Sequence, residues 1–205
     1  MTRHLKTCGL PGHEATAAAA PGKQPPNASF HLFVEARHSK AYWLHLAVAG
    51  EAPLAKVDAF LRQIWLECCG HMSAFTIDGR RYACEAMKDL GESGMGARLS
   101  RILRPGTVFS YEYDYGSTTE LNLKVLGIRE RGTHRGAVEL LARNDAPLVP
   151  CDRCSSQLAT MVCTECECKG RGWLCESCAD EHECGTEMCL PVVNSPRVGV
   201  CAYSG

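Results

Sequence analysis

The segment Thr107–Ile128 reads TVFSYEYDYGSTTELNLKVLGI. Phe109, Tyr111, Tyr113 and Tyr115 alternate with Ser110, Glu112 and Asp114, and a period of two is the signature of a strand. Gly116-Ser117-Thr118 interrupts the pattern, and a second β-prone run follows. The reading is therefore an antiparallel pair, Thr107–Tyr115 and Thr119–Ile128, with an aromatic row on one face. Such a row packs a sheet, its hydroxyls finding partners at the rim. A base-stacking platform would need a basic groove, and none is evident nearby.

Working outward, Phe30–Arg37 and Ala41–Val48 form a hairpin pattern around His38-Ser39-Lys40. Pro53 opens a helical one: Leu54, Val57, Leu61, Ile64 and Cys68 share a stripe flanked by Phe60 and Trp65, and Gly70 stops it. Ser73–Ile77 and Arg81–Glu85 flank Asp78-Gly79, a tight-turn dipeptide. After a glycine-rich stretch come a short helix around Ala97–Leu103, the pair already described, and a last strand Val138–Arg143. The order β-β-α-β-β-α-β-β-β with short connections predicts an α+β fold: a largely antiparallel sheet with one main helix and a short second one. The expected division is a flexible arm at 1–29, the α+β domain at 30–146 and a cysteine-rich module at 147–205.

An apolar fraction of 45% and a charged fraction of 22% are those of a globular chain. No apolar run approaches the ~20 residues that cross a bilayer, and no apolar stretch follows the first charges. The expectation is a cytoplasmic protein without membrane contact. Of 14 cysteines, ten lie after residue 150, and without a secretory signal such a cluster reads as metal ligation. Residues 1–150 hold 18 Lys+Arg against 15 Asp+Glu; the remainder holds 4 against 8, a charge of −4. An acidic, thiolate-rich module is a poor match for a phosphate backbone, so charge does not support nucleic acid as its partner.

Cys151-x2-Cys154, Cys163-x2-Cys166 and Cys175-x2-Cys178 repeat at equal intervals, followed by His182, Cys184, Cys189 and Cys201. A two-residue gap lets both thiolates face one tetrahedral Zn²⁺. Crossed pairing joins Cys151 and Cys154 to Cys175 and Cys178, the interval typical of four-cysteine zinc sites. Cys163, Cys166 and His182 then need a fourth ligand. Cys201, returning from the Asn194-Ser195-Pro196 turn, is the first choice and Cys184 the alternative. Cys168 and Cys189 are surplus. Two structural zinc ions per chain, interleaved, are expected.

Phe30–Tyr82, with Phe75-Thr76-Ile77-Asp78-Gly79-Arg80-Arg81-Tyr82, together with Leu103–Gly116 and the closing Leu190–Tyr203, resembles the plasmid pRiA-type open-reading-frame-three-like family. That resemblance implies a compact α+β fold in bacterial or archaeal proteins linked with plasmids or mobile elements, with no settled activity. Members continue the Tyr-Asp-aromatic-Gly signature with an acid, a Trp and a His; this chain has Ser117, Thr118, Thr119, Glu120 and Leu121.

Other constellations are weaker. Glu112, Asp114 and Glu120 read first as a solvated face. His45 reads as a hydrogen-bonded strand histidine. His71 beside Cys69 resembles a nucleophile and base, but Cys68 and Cys69 end an apolar helix and read as buried, inert thiols. Cys8 with His4 and His13 lacks metal spacing, and Arg129, Arg131, His134 and Arg135 form a modest basic loop. No catalytic or organic-cofactor set stands out. The expected function is a non-enzymatic binding or regulatory protein whose zinc sites support a protein-interaction surface. The alternatives are an enzyme or accessory factor acting on nucleic acid for a mobile element, with a site near Tyr113, Asp114 and Glu120, and a thiol/zinc redox sensor.

Overall fold

The computed structural model describes residues 28–130, 136–167 and 169–205. The expected arm lies almost wholly outside them, as do Cys8, Arg131, His134, Arg135 and Cys168. Eight strands form one sheet: β1 (Ala28–Ala36), β2 (Trp43–Ala49), β3 (Ser73–Ile77), β4 (Arg80–Ala83), β5 (Ser93–Gly94), β6 (Val108–Tyr113), β7 (Thr119–Glu130) and β8 (Val138–Arg143). Their order is β5-β4-β3-β6-β7-β1-β2-β8, and only β4 and β5 run parallel. The fold is mixed α+β with a mostly antiparallel sheet.

Local chemistry explains the turns. Asp78 and Gly79 both take positive φ (47° and 75°), as a two-residue hairpin turn requires, and Ile77 pairs with Arg80 across it. β7 carries a bulge: His31 pairs with Gly127 but Leu32 with Val125, leaving Leu126 as the extra residue. Phe109, Tyr111 and Tyr113 are buried, as the alternation predicts. Tyr115 is not. It lies beyond β6, 44% exposed, because Asp114 adopts φ 65° and turns the chain. The Asp114 carboxylate accepts the Gly116 N–H at 2.9 Å, a side-chain turn that stabilises this conformation. Tyr115 instead packs under Arg81, 5.0 Å from ring centre to guanidinium.

The main helix, α1 (Leu54–Leu61), runs directly into a π-helical turn, Arg62–Leu66. Leu54, Val57 and Leu61 are buried as expected, but Trp65 and Leu66 are fully buried where Ile64 is only partly so. The π turn widens the period beyond 3.6 and rotates the next buried positions past Ile64. Glu67 N–H closes it on the Arg62 carbonyl at 2.9 Å. A second short helix, α2, spans Leu99–Ile102. Leu61→Ala should cost about 2–5 kcal/mol, since Leu61 has no solvent exposure and its loss leaves a cavity. Ile64→Ala should cost less. Denaturant melts of the two variants check the ranking.

A three-stranded sheet, β10-β9-β11, lies in the C-terminal part, built from β9 (Met161–Cys163), β10 (Trp173–Leu174) and β11 (Cys189–Pro191). Two short helices, α3 (Thr164–Glu167) and α4 (Glu176–Asp180), follow β9 and β10. The last segment then returns to the larger sheet. Ser195 Oγ donates to the Trp65 carbonyl (2.6 Å), and Asn194 and Asn144 exchange hydrogen bonds (2.7 and 3.1 Å). No helix among the described residues is long and apolar enough to cross a membrane.

Candidate metal centres

Each two-residue knuckle begins a tight turn, and that geometry aims both thiols one way. Ser155 N–H bonds the Cys151 carbonyl (2.9 Å), Cys163 and Cys166 bracket the start of α3, and Cys178 N–H bonds the Cys175 carbonyl at the start of α4 (3.1 Å). Asp152 fixes the approach of the β10 strand by accepting the Gly172 and Trp173 N–H groups, both at 2.8 Å.

Among the described residues three groups of four donors result, each with all its ligand atoms within 4.8 Å of one another, and each can hold a metal ion. The first is Cys151, Cys154, Cys175 and Cys178, the crossed combination of first and third knuckles. Cys154 and Cys175 Sγ stand 3.8 Å apart. The second is Cys163, Cys166, His182 and Cys184. Cys166 Sγ lies 3.5 Å from His182 Nε2 and 3.7 Å from Cys184 Sγ. Cys201, the first choice from sequence for this place, is elsewhere. Helical neighbours two apart would diverge, but α4 ends at Asp180, so His182 and Cys184 lie on a turn closed by Gly185 N–H to the His182 carbonyl (2.9 Å) and converge. Cys189 is buried against these residues without joining either group.

The third group was not foreseen: Cys68, Cys69, His71 and Cys201. The reading of Cys68 and Cys69 as buried thiols is corrected here, since Cys69 is exposed and Cys68 partly so. The helix ends with the π turn at Leu66 and Glu67 is already extended, so Cys68 and Cys69 lie in irregular chain and not on its apolar stripe. The Cys69–His71 pair noticed in the sequence is real, at 3.0 Å, but it shares its space with Cys201. Only the motif Cys-Cys-x-His was visible beforehand; its fourth member is 130 residues away.

The carboxylates near β6 are occupied. Asp114 is buried and receives Arg197 Nη2 at 2.6 Å. Burial alone would raise its carboxyl pKa, but Arg197 and the Gly116 and Ser117 N–H groups outweigh this and hold it below the usual range. Glu120 accepts from His38 (2.8 Å) and Arg37 (2.7 Å), which likewise lower its pKa. Glu112 pairs with Arg81 at 2.8 Å. The Tyr113 hydroxyl donates to Glu67 at 3.0 Å. His45 is buried and bonded to His31 through ring nitrogens 2.9 Å apart.

No family model and no curated protein matches the chain. Among solved structures it is similar to the crystal structure of a protein of unknown function, MM3350 from Methanosarcina mazei Go1, at 15% identity. The match has a TM-score of 0.50 and covers 57% of this chain and 68% of that one. A likeness at that identity bears on the fold alone, and the fold it supports is the mixed α+β architecture described above.

Proposed function

We propose that the chain is a non-enzymatic binding or regulatory protein, of the mobile-element-associated type its sequence resemblance suggests, whose C-terminal module is held by two zinc ions and offers a surface to another protein. The observation that carries this reading is the completeness of the two module clusters. A tetrahedral Zn²⁺ at about 2.3 Å from sulfur and about 2.0–2.1 Å from nitrogen sets S···S edges of about 3.8 Å and S···N edges of about 3.5 Å. The first two clusters have edges of 3.8, 3.7 and 3.5 Å. Four protein donors saturate such an ion, leaving no position for a reactive water, which is how structural zinc differs from catalytic zinc.

Two further observations support it. The carboxylates of the alternative catalytic reading are all engaged by arginines, which disfavours a free general base. A half-open cavity of about 360 Å³ is lined by three ligands of the second cluster, Cys166, His182 and Cys184, and by charged Arg153, Arg171 and Glu181 around them. Its mixed charge suits a polypeptide better than a polyanion.

The test is affinity capture with the metal-loaded full chain from the cells that make it. A protein partner should be retained by the wild type and lost by Arg171→Glu, with metal content unchanged in that variant. Recovery of nuclease-sensitive material instead, indifferent to Arg171, would move the reading to the accessory factor acting on nucleic acid.

A further inference from the structure

We propose that Cys68, Cys69, His71 and Cys201 form a third Zn²⁺ site, one that ties the C-terminal end of the chain to the end of the main helix. The inference concerns different residues from the two-ion reading of the module and stands apart from it.

Both sides of the site are built. On one side, the π turn ends at Leu66 and the chain reverses at Gly70 (φ 79°), whose N–H is held by Glu67 Oε1 at 2.6 Å. Arg62 fixes the same corner by bonding the His71 carbonyl (2.7 Å), Ser73 Oγ (2.9 Å) and Glu67 (2.7 Å). Cys68, Cys69 and His71 therefore project from a braced loop. On the other side, Ser195 is anchored to Trp65, and Arg197 is fully buried among Asp114, Thr119 Oγ1 and the Ser117 carbonyl. Successive turns, Val200 N–H to the Arg197 carbonyl and Tyr203 N–H to the Val200 carbonyl, then bring up Cys201.

The donor set has the geometry of an ion site. The Cys68–Cys69 and Cys69–Cys201 sulfurs are 3.7 and 3.8 Å apart, the edges of a thiolate tetrahedron about zinc. They are also far longer than the ~2.05 Å of a disulfide. His71 Nε2 points into the same space, 3.0 Å from Cys69 and 3.2 Å from Cys201, distances inside the ~3.5 Å S···N edge that a bound ion would set, and all four ligand atoms lie within 4.8 Å. The set is chemically the same as that of the second cluster, three thiols and one imidazole.

The backbone and the surroundings agree. Cys201 and Ala202 take positive φ (51° and 55°) as the two central positions of the turn that Tyr203 N–H closes on the Val200 carbonyl, which presents Cys201 at the tip of that turn. Three thiolates on a divalent ion leave one negative charge, and Arg197 Nη2 lies 3.6 Å from Cys68 Sγ, where a cation would offset it. Asp114, 3.5 Å from His71 Nε2, in turn holds that arginine. Two of the four ligands, Cys69 and Cys201, are exposed, whereas two of the four in the first cluster are fully buried. The third ion should accordingly be the first that a chelator removes.

The experiment is metal analysis of the reduced full chain. Cys201→Ser should hold one equivalent of zinc fewer than wild type, whatever the module itself binds. His71→Cys should restore the wild-type count where His71→Ala loses one ion. In the cobalt-substituted protein, Cys201→Ser should remove one site's share of thiolate-to-metal absorption. Exposure of the 195–203 segment to protease in Cys201→Ser would follow from loss of the tie. Equal metal content in wild type and Cys201→Ser overturns the proposal. So does a native mass two hydrogens short with a Cys69–Cys201 disulfide.

Discussion

Cys175→Ser should release the ions of the C-terminal module and unfold it while the eight-stranded sheet stays intact. The module has almost no core of its own. Its buried cluster consists of Cys151, Cys163, Leu174, Cys175, Ala179 and Cys189, so half of it is metal ligands and Leu174 is its one large apolar side chain. A segment this small and poor in large apolar side chains cannot offset its conformational entropy by burial. Structural zinc contributes about 10–16 kcal/mol in small metal-dependent folds, and that is the free energy at stake. The clusters are also interleaved. Cys163 and Cys166 lie between the two halves of the first site, and Cys175 Sγ is 3.8 Å from Cys154 across it. Opening the first site therefore frees the β9–β10 connection that positions the second. Metal analysis with limited proteolysis checks this: both module ions lost, with cleavage confined to residues beyond 147. A variant keeping both ions and its protease resistance would contradict it.

Arg197→Ala should cost about 3–5 kcal/mol, the range for removing one partner of a buried ion pair. Arg197 has no solvent exposure, and Asp114 has almost none. The guanidinium reaches the Asp114 carboxylate, the Ser117 carbonyl and Thr119 Oγ1 while lying 4.9 Å over the Tyr113 ring. Without it the buried carboxylate keeps the Gly116 and Ser117 N–H groups but loses its guanidinium. Arg197→Lys should recover only part of the loss, because an ammonium cannot span these acceptors from one plane. The double variant Arg197→Met/Asp114→Asn should be more stable than Arg197→Ala, as it removes both charges together. The acid limb of stability carries the same signature. Because Asp114 is held below its ordinary pKa, its contribution is present above the unfolded value, about 3.9, and is lost as pH falls through the lowered folded one. Denaturant melts at neutral and acid pH should show a larger loss in the wild type than in Arg197→Ala, where the Gly116 and Ser117 N–H groups alone still lower Asp114.

How much of this was legible beforehand varied with distance along the chain. The Asp78-Gly79 hairpin turn, the buried row Phe109-Tyr111-Tyr113 and the stripe Leu54-Val57-Leu61 all rest on repeats of a few residues, and all three appear in the structure. The same reasoning failed at single positions where a local conformation changed the period. Strand alternation extends to Tyr115, but the left-handed Asp114 turns the chain before it; a 3.6-residue period favours Ile64, but the π turn buries Trp65 instead. Both departures sit next to the third cluster. The left-handed Asp114 binds the arginine beside it, and the π turn ends just before its cysteines.

The amino-acid sequence by itself determined the β-rich α+β architecture and which cysteines act as pairs, because strand alternation and Cys-x2-Cys geometry are set by backbone dihedrals over a few residues. Only the tertiary structure decided the rest: that Cys184 and not Cys201 stands with Cys163, Cys166 and His182, that Arg197 neutralises Asp114, and that Cys201 meets Cys68, Cys69 and His71. Those groupings join residues as far as 133 positions apart, whose convergence depends on where the last segment packs against the main helix. Spacing along a chain limits how far two side chains can be from each other, but over such a span it does not bring them together.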